Sequence, residues 1–251
     1  MSASDPAGDP AVDGGFASLV DEAVYRPLRS GNALEDTVAR LMQTIRLGVV
    51  APGAALPAER ELAARFSVSR DTVREAIREL ADTGYLVARR GRYGGTFVAS
   101  PLPAAPEAPQ REVTRAELDD LIGVRDILEV GAARAAARRT LAPAERAGLW
   151  TRLGETSAAD VGDYRRLDSR LHLAVAELVG VPSLVTLVAD NRSRVNELLD
   201  AFPLLPRNIE HSNRQHEAIV LAILAGSEEG AAAAMREHLE GSAALLRGFL
   251  G

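Results

Sequence analysis

The chain has 251 residues, 47% of them hydrophobic, with no cysteine and a formal net charge of −6. That length fits one or two domains with an ample core, and the missing cysteines exclude disulfides and thiolate metal sites. The apolar runs fall short of the roughly 18 residues that cross a bilayer, and the acidic start MSASDPAGDPAVDGG lacks the basic and apolar parts of a signal peptide. A cytoplasmic protein without a membrane partner is therefore expected.

Every one of the 29 basic residues is arginine, and their distribution matters more than the total. Residues 32–99 hold ten arginines against eight acids and are the only positive stretch, while the segments on either side are net negative. Residues 1–30 are rich in Ala, Gly, Asp and Pro without a sustained period, which predicts a flexible tail. Leu34, Val38, Leu41 and Ile45 recur at helical spacing, giving a helix over 33–47 that Gly48 ends. Two short helices are predicted next, over 58–66 and 70–83, the second with Ser69 as N-cap and Gly84 as its stop. Tyr85–Ala88 and Thr96–Val98 read as short strands joined by the glycine-rich turn RRGRYGG. Three helices and a hairpin within 31–99 are the layout of a winged helix-turn-helix.

Residues 100–113 begin with SPLPAAPEAP, whose four prolines stop any helix and predict a stiff linker. From 114 to 251 the pattern is helical throughout, with six helices over 114–139, 143–158, 160–180, 182–201, 207–225 and 228–249. No strand alternation interrupts them, so an antiparallel all-helical bundle is expected. The fold class is mainly α.

In the helix from Arg70, the residues Val73, Ile77 and Leu80 form a packing face, while Arg70, Arg74 and Arg78 share another side at four-residue spacing. The N-terminal half of such a helix enters the major groove, where arginine bridges guanine acceptors or holds phosphate. Ser69 and Thr72 add hydroxyls there. Arg89, Arg90 and Arg92 surround Gly91 in the hairpin turn and suit phosphate or minor-groove contact. The competing explanation is a solvated arginine face paired with Glu75 and Glu79. Asp71 is the anomaly, because a carboxylate near phosphates costs affinity unless an arginine pairs with it or it accepts from cytosine.

The string from Leu56 to Val98 resembles the DNA-binding domain of the GntR family of bacterial regulators. The resemblance is carried by Pro52-Gly53, Leu56-Pro57, Glu59-Arg60, Leu62-Ala63, Val68-Ser69-Arg70, Thr72-Val73-Arg74, Ala76, Leu80, Gly84 and the Gly-Thr-Phe-Val end of the wing. It implies that Arg60, Arg70 and Arg74 contact double-stranded operator DNA, with Ser69, Thr72 and Gly91 close to its backbone. A symmetric operator needs two readers, so a homodimer is expected.

In the C-terminal part, polar residues sit on apolar stripes. Asp168 and His172 lie four residues apart beside Tyr164, Leu171 and Val175 and point the same way. His216 lies among Ile219, Val220 and Ile223, and His238 among Ala231, Met235 and Leu245. A single inward histidine is ordinarily a satisfied core residue. Three with an aspartate form a nitrogen–oxygen donor set suited to zinc, nickel, manganese, cobalt or iron, with coordination positions left open. His211 falls on the opposite face with Gln215 and is assigned no role. Arg125 lies among Leu118, Leu121 and Leu128, either paired with Glu129 one turn on or serving as a carboxylate clamp. Asn191 lies among Leu184, Val188 and Val195.

Residues from about 114 to 246 look like the FCD effector domain of FadR-type members of that family. Metal-binding FCD domains carry Asp-x-x-x-His on one helix and one histidine on each of two later helices, and Asp168, His172, His216 and His238 match position by position. Leu171 stands where phenylalanine is common. The resemblance implies a divalent metal, zinc first, and a small organic acid effector contacted by Arg125 and Asn191. A ligand-responsive repressor follows, with a direct metal sensor or a metal-dependent enzyme as the alternatives.

Overall fold

A computed structural model describes residues 19–27, 32–91, 94–103, 113–200 and 204–250. These hold ten helices and two strands, and no described helix is long and apolar enough to cross a membrane.

The reader consists of α2 (Ala33–Arg46), α3 (Glu59–Phe66), α4 (Arg70–Asp82), β1 (Leu86–Arg89) and β2 (Gly95–Val98). Ser67 takes a left-handed conformation at φ +57° and turns the chain between α3 and α4. The Ser69 hydroxyl then accepts from the Thr72 amide at 3.0 Å, the cap its position predicted. The strands pair antiparallel with Leu86 opposite Val98 and Arg89 opposite Gly95. Leu41, Ile45, Leu62, Phe66, Val73 and Leu80 close the core beneath them.

The remaining helices are α5 (Arg115–Arg138), α6 (Pro143–Ser157), α7 (Tyr164–Leu178), α8 (Pro182–Leu199), α9 (Pro206–Leu224) and α10 (Glu228–Leu250). Thr114 and Glu117 form a reciprocal capping box that starts α5, and Pro182 and Pro206 stand in the first turns of α8 and α9. The central helix α5 packs on α7, α8, α9 and α10, while α6 covers α7 and α9. Residues 160–163, read as helix in the sequence, form a turn: the Asp160 carboxylate accepts from the Asp163 amide at 2.8 Å and delays the helix to Tyr164.

The N-terminal stretch departs from the flexible tail expected over 1–30. Leu19–Val24 forms a short helix, α1, with Val20, Ala23 and Val24 buried. Composition averaged over the whole stretch hides these apolar positions three and four apart. Residues 1–18 lie outside the described part, as do 104–112 of the expected linker.

Candidate metal centre and nucleic-acid interface

Four side chains from three helices meet inside the bundle. Asp168 and His172 come from α7, His216 from α9 and His238 from α10, and one ligand atom of each lies within 4.8 Å of the other three. His238 Nε2 stands 3.2 Å from the Nε2 atoms of both His172 and His216. Asp168 Oδ1 lies 3.1 Å from His216 Nε2 and 3.7 Å from His172 Nε2. The three imidazoles are buried.

Neighbouring groups fix which atoms face inward. The Glu129 carboxylate, from α5, takes the Nδ1 side of His172. Gln215 Oε1 accepts from His238 Nδ1 at 3.3 Å. With Nδ1 carrying the proton, each ring turns a lone pair on Nε2 toward the centre. Burial, with Arg192 nearby, lowers the His172 pKa to about 4, and burial beside the other two rings holds His238 well below its usual value, so both are neutral donors at ordinary pH. Three imidazole nitrogens and one carboxylate oxygen converge on a common point and form an electron-rich cluster. A divalent cation fits this donor set, and the three-imidazole, one-carboxylate combination suits zinc and its borderline neighbours. His216 Nδ1 is buried with no hydrogen-bond partner among the described residues.

A charged surround balances the acids. Arg192, 1% exposed on α8, donates to Asp168 Oδ2 and lies 3.5 Å from Glu129, while Arg125 donates to Glu129 at 3.0 Å. Burial opposes ionisation of both carboxyls. For Glu129, His172, Arg125 and Arg192 outweigh it; for Asp168, Arg192 and the two nearest imidazoles do, and both pKa values lie well below the usual range. Asp168 is thereby divided in use, Oδ2 held by arginine and Oδ1 turned to the histidines. Asn196 donates to Ser169 at 2.8 Å beside this network.

Arg125 therefore meets the Glu129 pairing considered from sequence, and its Nη1 also donates to Ser242 at 2.7 Å. Asn191 donates through its amide to the Leu121 carbonyl at 3.1 Å, and its Oδ1 has no hydrogen-bond partner among the described residues. Gln215 is buried against His238, which corrects its assignment to the outer face; His211 is exposed. Arg192 escaped the sequence reading. Val185, Arg192 and Leu199 recur every seven residues on α8 and are all buried, and that spacing was the available signal.

On the reader, Arg60, Ser69, Arg70 and Arg74 are exposed and Thr72 half-buried; Ser69 and Thr72 are engaged in the cap of α4. Asp71 pairs with Arg74 at 2.9 Å, but Arg74 also pairs with Glu59 at 3.2 Å, so one guanidinium serves two carboxylates and Asp71 stays exposed. Arg90 and Gly91 are exposed at the hairpin tip, Gly91 at φ +110°, a conformation that favours glycine. Arg89 instead packs over the Phe97 ring at 4.4 Å. Arg92 lies outside the described residues.

Comparison with known proteins places these two surfaces in a family. Residues 34–98 match the bacterial regulatory proteins of the gntR family, and residues 120–241 match the FCD domain, a type that often binds metal. The chain is 31% identical over 227 residues to the HTH-type transcriptional repressor NanR of Cronobacter sakazakii, spanning 85% of each. It is 29% identical over 219 residues to the HTH-type transcriptional regulator LutR of Bacillus subtilis, spanning 82% of this chain and 97% of that one. The solved structure of E. coli McbR/YncC shares the fold with a TM-score of 0.56 at 20% identity, over 88% of this chain and 100% of that one. With a gntR-type reader joined to an FCD domain, the chain belongs to the gntR family of bacterial regulators and is an effector-responsive, DNA-binding transcription regulator, not an enzyme.

Proposed function

We propose that this regulator is a homodimeric repressor whose FCD domain holds a divalent metal through Asp168, His172, His216 and His238, zinc first among the candidates, and is controlled by a small carboxylate that binds beside it. The observation that carries this reading is the convergence of three imidazole nitrogens and one carboxylate oxygen within 4.8 Å. A bound metal would supply a Lewis-acidic anchor for an anionic group. Glu129 and Gln215 keep the His172 and His238 rings turned inward. Arg192 holds the second oxygen of Asp168 and prevents the aspartate from turning away. Arg125 and Asn191 are the proposed effector contacts: Arg125 is a buried guanidinium shared with Ser242, and Asn191 keeps one amide oxygen unpaired.

Operator binding is assigned to Arg60, Arg70 and Arg74 with Ser69 and Thr72 at the start of α4, and to Arg90, Gly91 and Arg92 at the wing. The repressor sense is supported by the relative named a repressor. The effector acts through its different affinity for the arrangements of the two readers in the dimer.

Equilibrium dialysis against zinc with metal analysis tests the centre. Wild type should retain about one ion per chain, and His172→Ala/His216→Ala should retain none because two of four ligands are gone. A wild type that holds no ion, or a double variant that holds as much, overturns the reading. Metal-loaded protein should then gain thermal stability from a subset of small carboxylic acids, and Arg125→Ala should abolish that gain.

A further inference from the structure

Helix α1 has no part in the reader's hairpin or in the metal centre, and it precedes both matched segments of the chain. It is nevertheless deeply seated: Val20 and Val24 are fully buried, and Ala23 and Tyr25 nearly so. A six-residue helix does not persist in water unaided, so its order derives from what it touches. Those contacts fall on both halves of the molecule. On the effector side α1 packs against α8 and α7, and on the reader side against α2. Tyr25 lays its ring 5.7 Å from that of Phe66 at the end of α3, with the Arg65 guanidinium 5.3 Å over the tyrosine.

One carboxylate joins the parts. Asp190 of α8 accepts from Arg26 at 2.5 Å, from Gln43 at 3.2 Å and from Arg40 at 3.4 Å. Gln43 also donates to the Ala189 carbonyl at 3.2 Å. A second seat lies where α2 ends, with Gly48 directly against Arg166 and Arg170 of α7: a Cβ at Gly48 would stand 2.7 Å from Arg166 Cγ. The reader thus rests on α7 and α8 with α1 bound across the joint. The opposite faces of those two helices carry Asp168, His172 and Arg192.

We propose that residues 19–26 are a strap that fastens the reader to its own effector domain, with Asp190 as the junction residue where strap, reader and effector domain meet. The fastening stands on the contacts alone. Its consequence, that the strap conveys the state of the metal centre to the reader through α7 and α8, rests on the metal-binding reading above.

Hydrogen–deuterium exchange on the full chain separates the two. In Val20→Ser/Val24→Ser, amides of residues 43–50 should exchange about tenfold faster than in wild type, while α9 and α10 stay within about twofold. Arg26→Ala, which removes a half-buried ion pair and one bond to the Ala23 carbonyl but leaves the buried valines in place, should shift the same amides in the same direction, and it decides the matter if the double variant loses protection everywhere. Unchanged exchange at 43–50 in Arg26→Ala together with either unchanged or global loss in the double variant overturns the strap. Zinc added to wild type should slow exchange at 43–50, and this response should vanish in Arg26→Ala. A response of equal size in the variant overturns the conveying role. A wild type that does not respond to zinc overturns the link to the metal, and the fastening is then judged by the metal-free comparison.

Discussion

Replacing Arg192 with methionine tests the charge balance around the metal centre. Arg192 is buried to 1% exposure and serves two carboxylates, Asp168 by a direct hydrogen bond and Glu129 at 3.5 Å. Methionine fills much of the same volume without charge, so the cost is chiefly the stranding of Asp168; Glu129 keeps its bond to Arg125. Removing one partner of a buried ion pair costs about 3–5 kcal/mol, and in a chain of this size that lowers Tm by roughly 6–20 °C in differential scanning calorimetry. Two controls make the reasoning specific. Adding Asp168→Leu to Arg192→Met removes the stranded charge and should recover most of the loss, because replacing a whole buried pair with apolar groups is close to neutral. Zinc should raise the Tm of Arg192→Met more than that of wild type, since the ion supplies the missing countercharge beside Asp168. A melting point for Arg192→Met within roughly 2–4 °C of wild type, or no recovery in the double variant, would refute the assigned role.

Two other perturbations address the reader. Asp71→Asn removes an exposed carboxylate from the DNA-facing end of α4 and one of the two partners of Arg74. Binding to nonspecific duplex DNA should tighten, the salt-dependence slope should steepen by about one, and the melting temperature should not move; weaker binding in fluorescence anisotropy would contradict this. Gly48→Ala places a Cβ at φ +66° and 2.7 Å from Arg166 Cγ. The left-handed conformation alone costs about 1–2 kcal/mol, so Tm should fall by at least roughly 2–8 °C, and an unchanged Tm would refute both the backbone strain and the close seat on α7.

Much of this was legible in the sequence wherever a residue's surroundings lie within a few turns of its own helix. Ser69 and Gly84 act on the backbone next to them, and their positions marked the two ends of α4. Asp168, His172, His216 and His238 were found because each breaks an apolar stripe, and a polar group on an inward face requires a partner. Their convergence depends on how three helices pack, which periodicity does not report. Arg192 and Gln215 were missed for a related reason. The stripes were read too narrowly, and both residues lie at a buried edge that widens where α8 and α9 face more than one neighbour. Helix α1 was missed because it is stable only against surfaces supplied by α2, α3, α7 and α8. That Asp71 shares Arg74 with Glu59 of the preceding helix shows only in three dimensions.

The same charge balance bears on what the effector must be. Before any ion binds, Asp168 and Glu129 are matched by Arg125 and Arg192, and burial keeps His172 and His238 neutral. A divalent cation adds two positive charges to a site with little water to screen them, where the cost of unmatched charge is highest. The protein supplies no further buried carboxylate at the ligand atoms among the described residues. On the proposed metal-binding reading the balancing anion comes from outside, and a carboxylate that supplies it should bind the metal-loaded state far better than the metal-free one. That difference in affinity is the quantity that can shift an equilibrium between reader arrangements. It predicts reciprocity: the acid that stabilises the metal-loaded protein should tighten zinc binding by the same factor that zinc tightens the acid, measurable in one pair of calorimetric titrations. A factor of one in both directions would show that the acid binds independently of the ion and does not share this site.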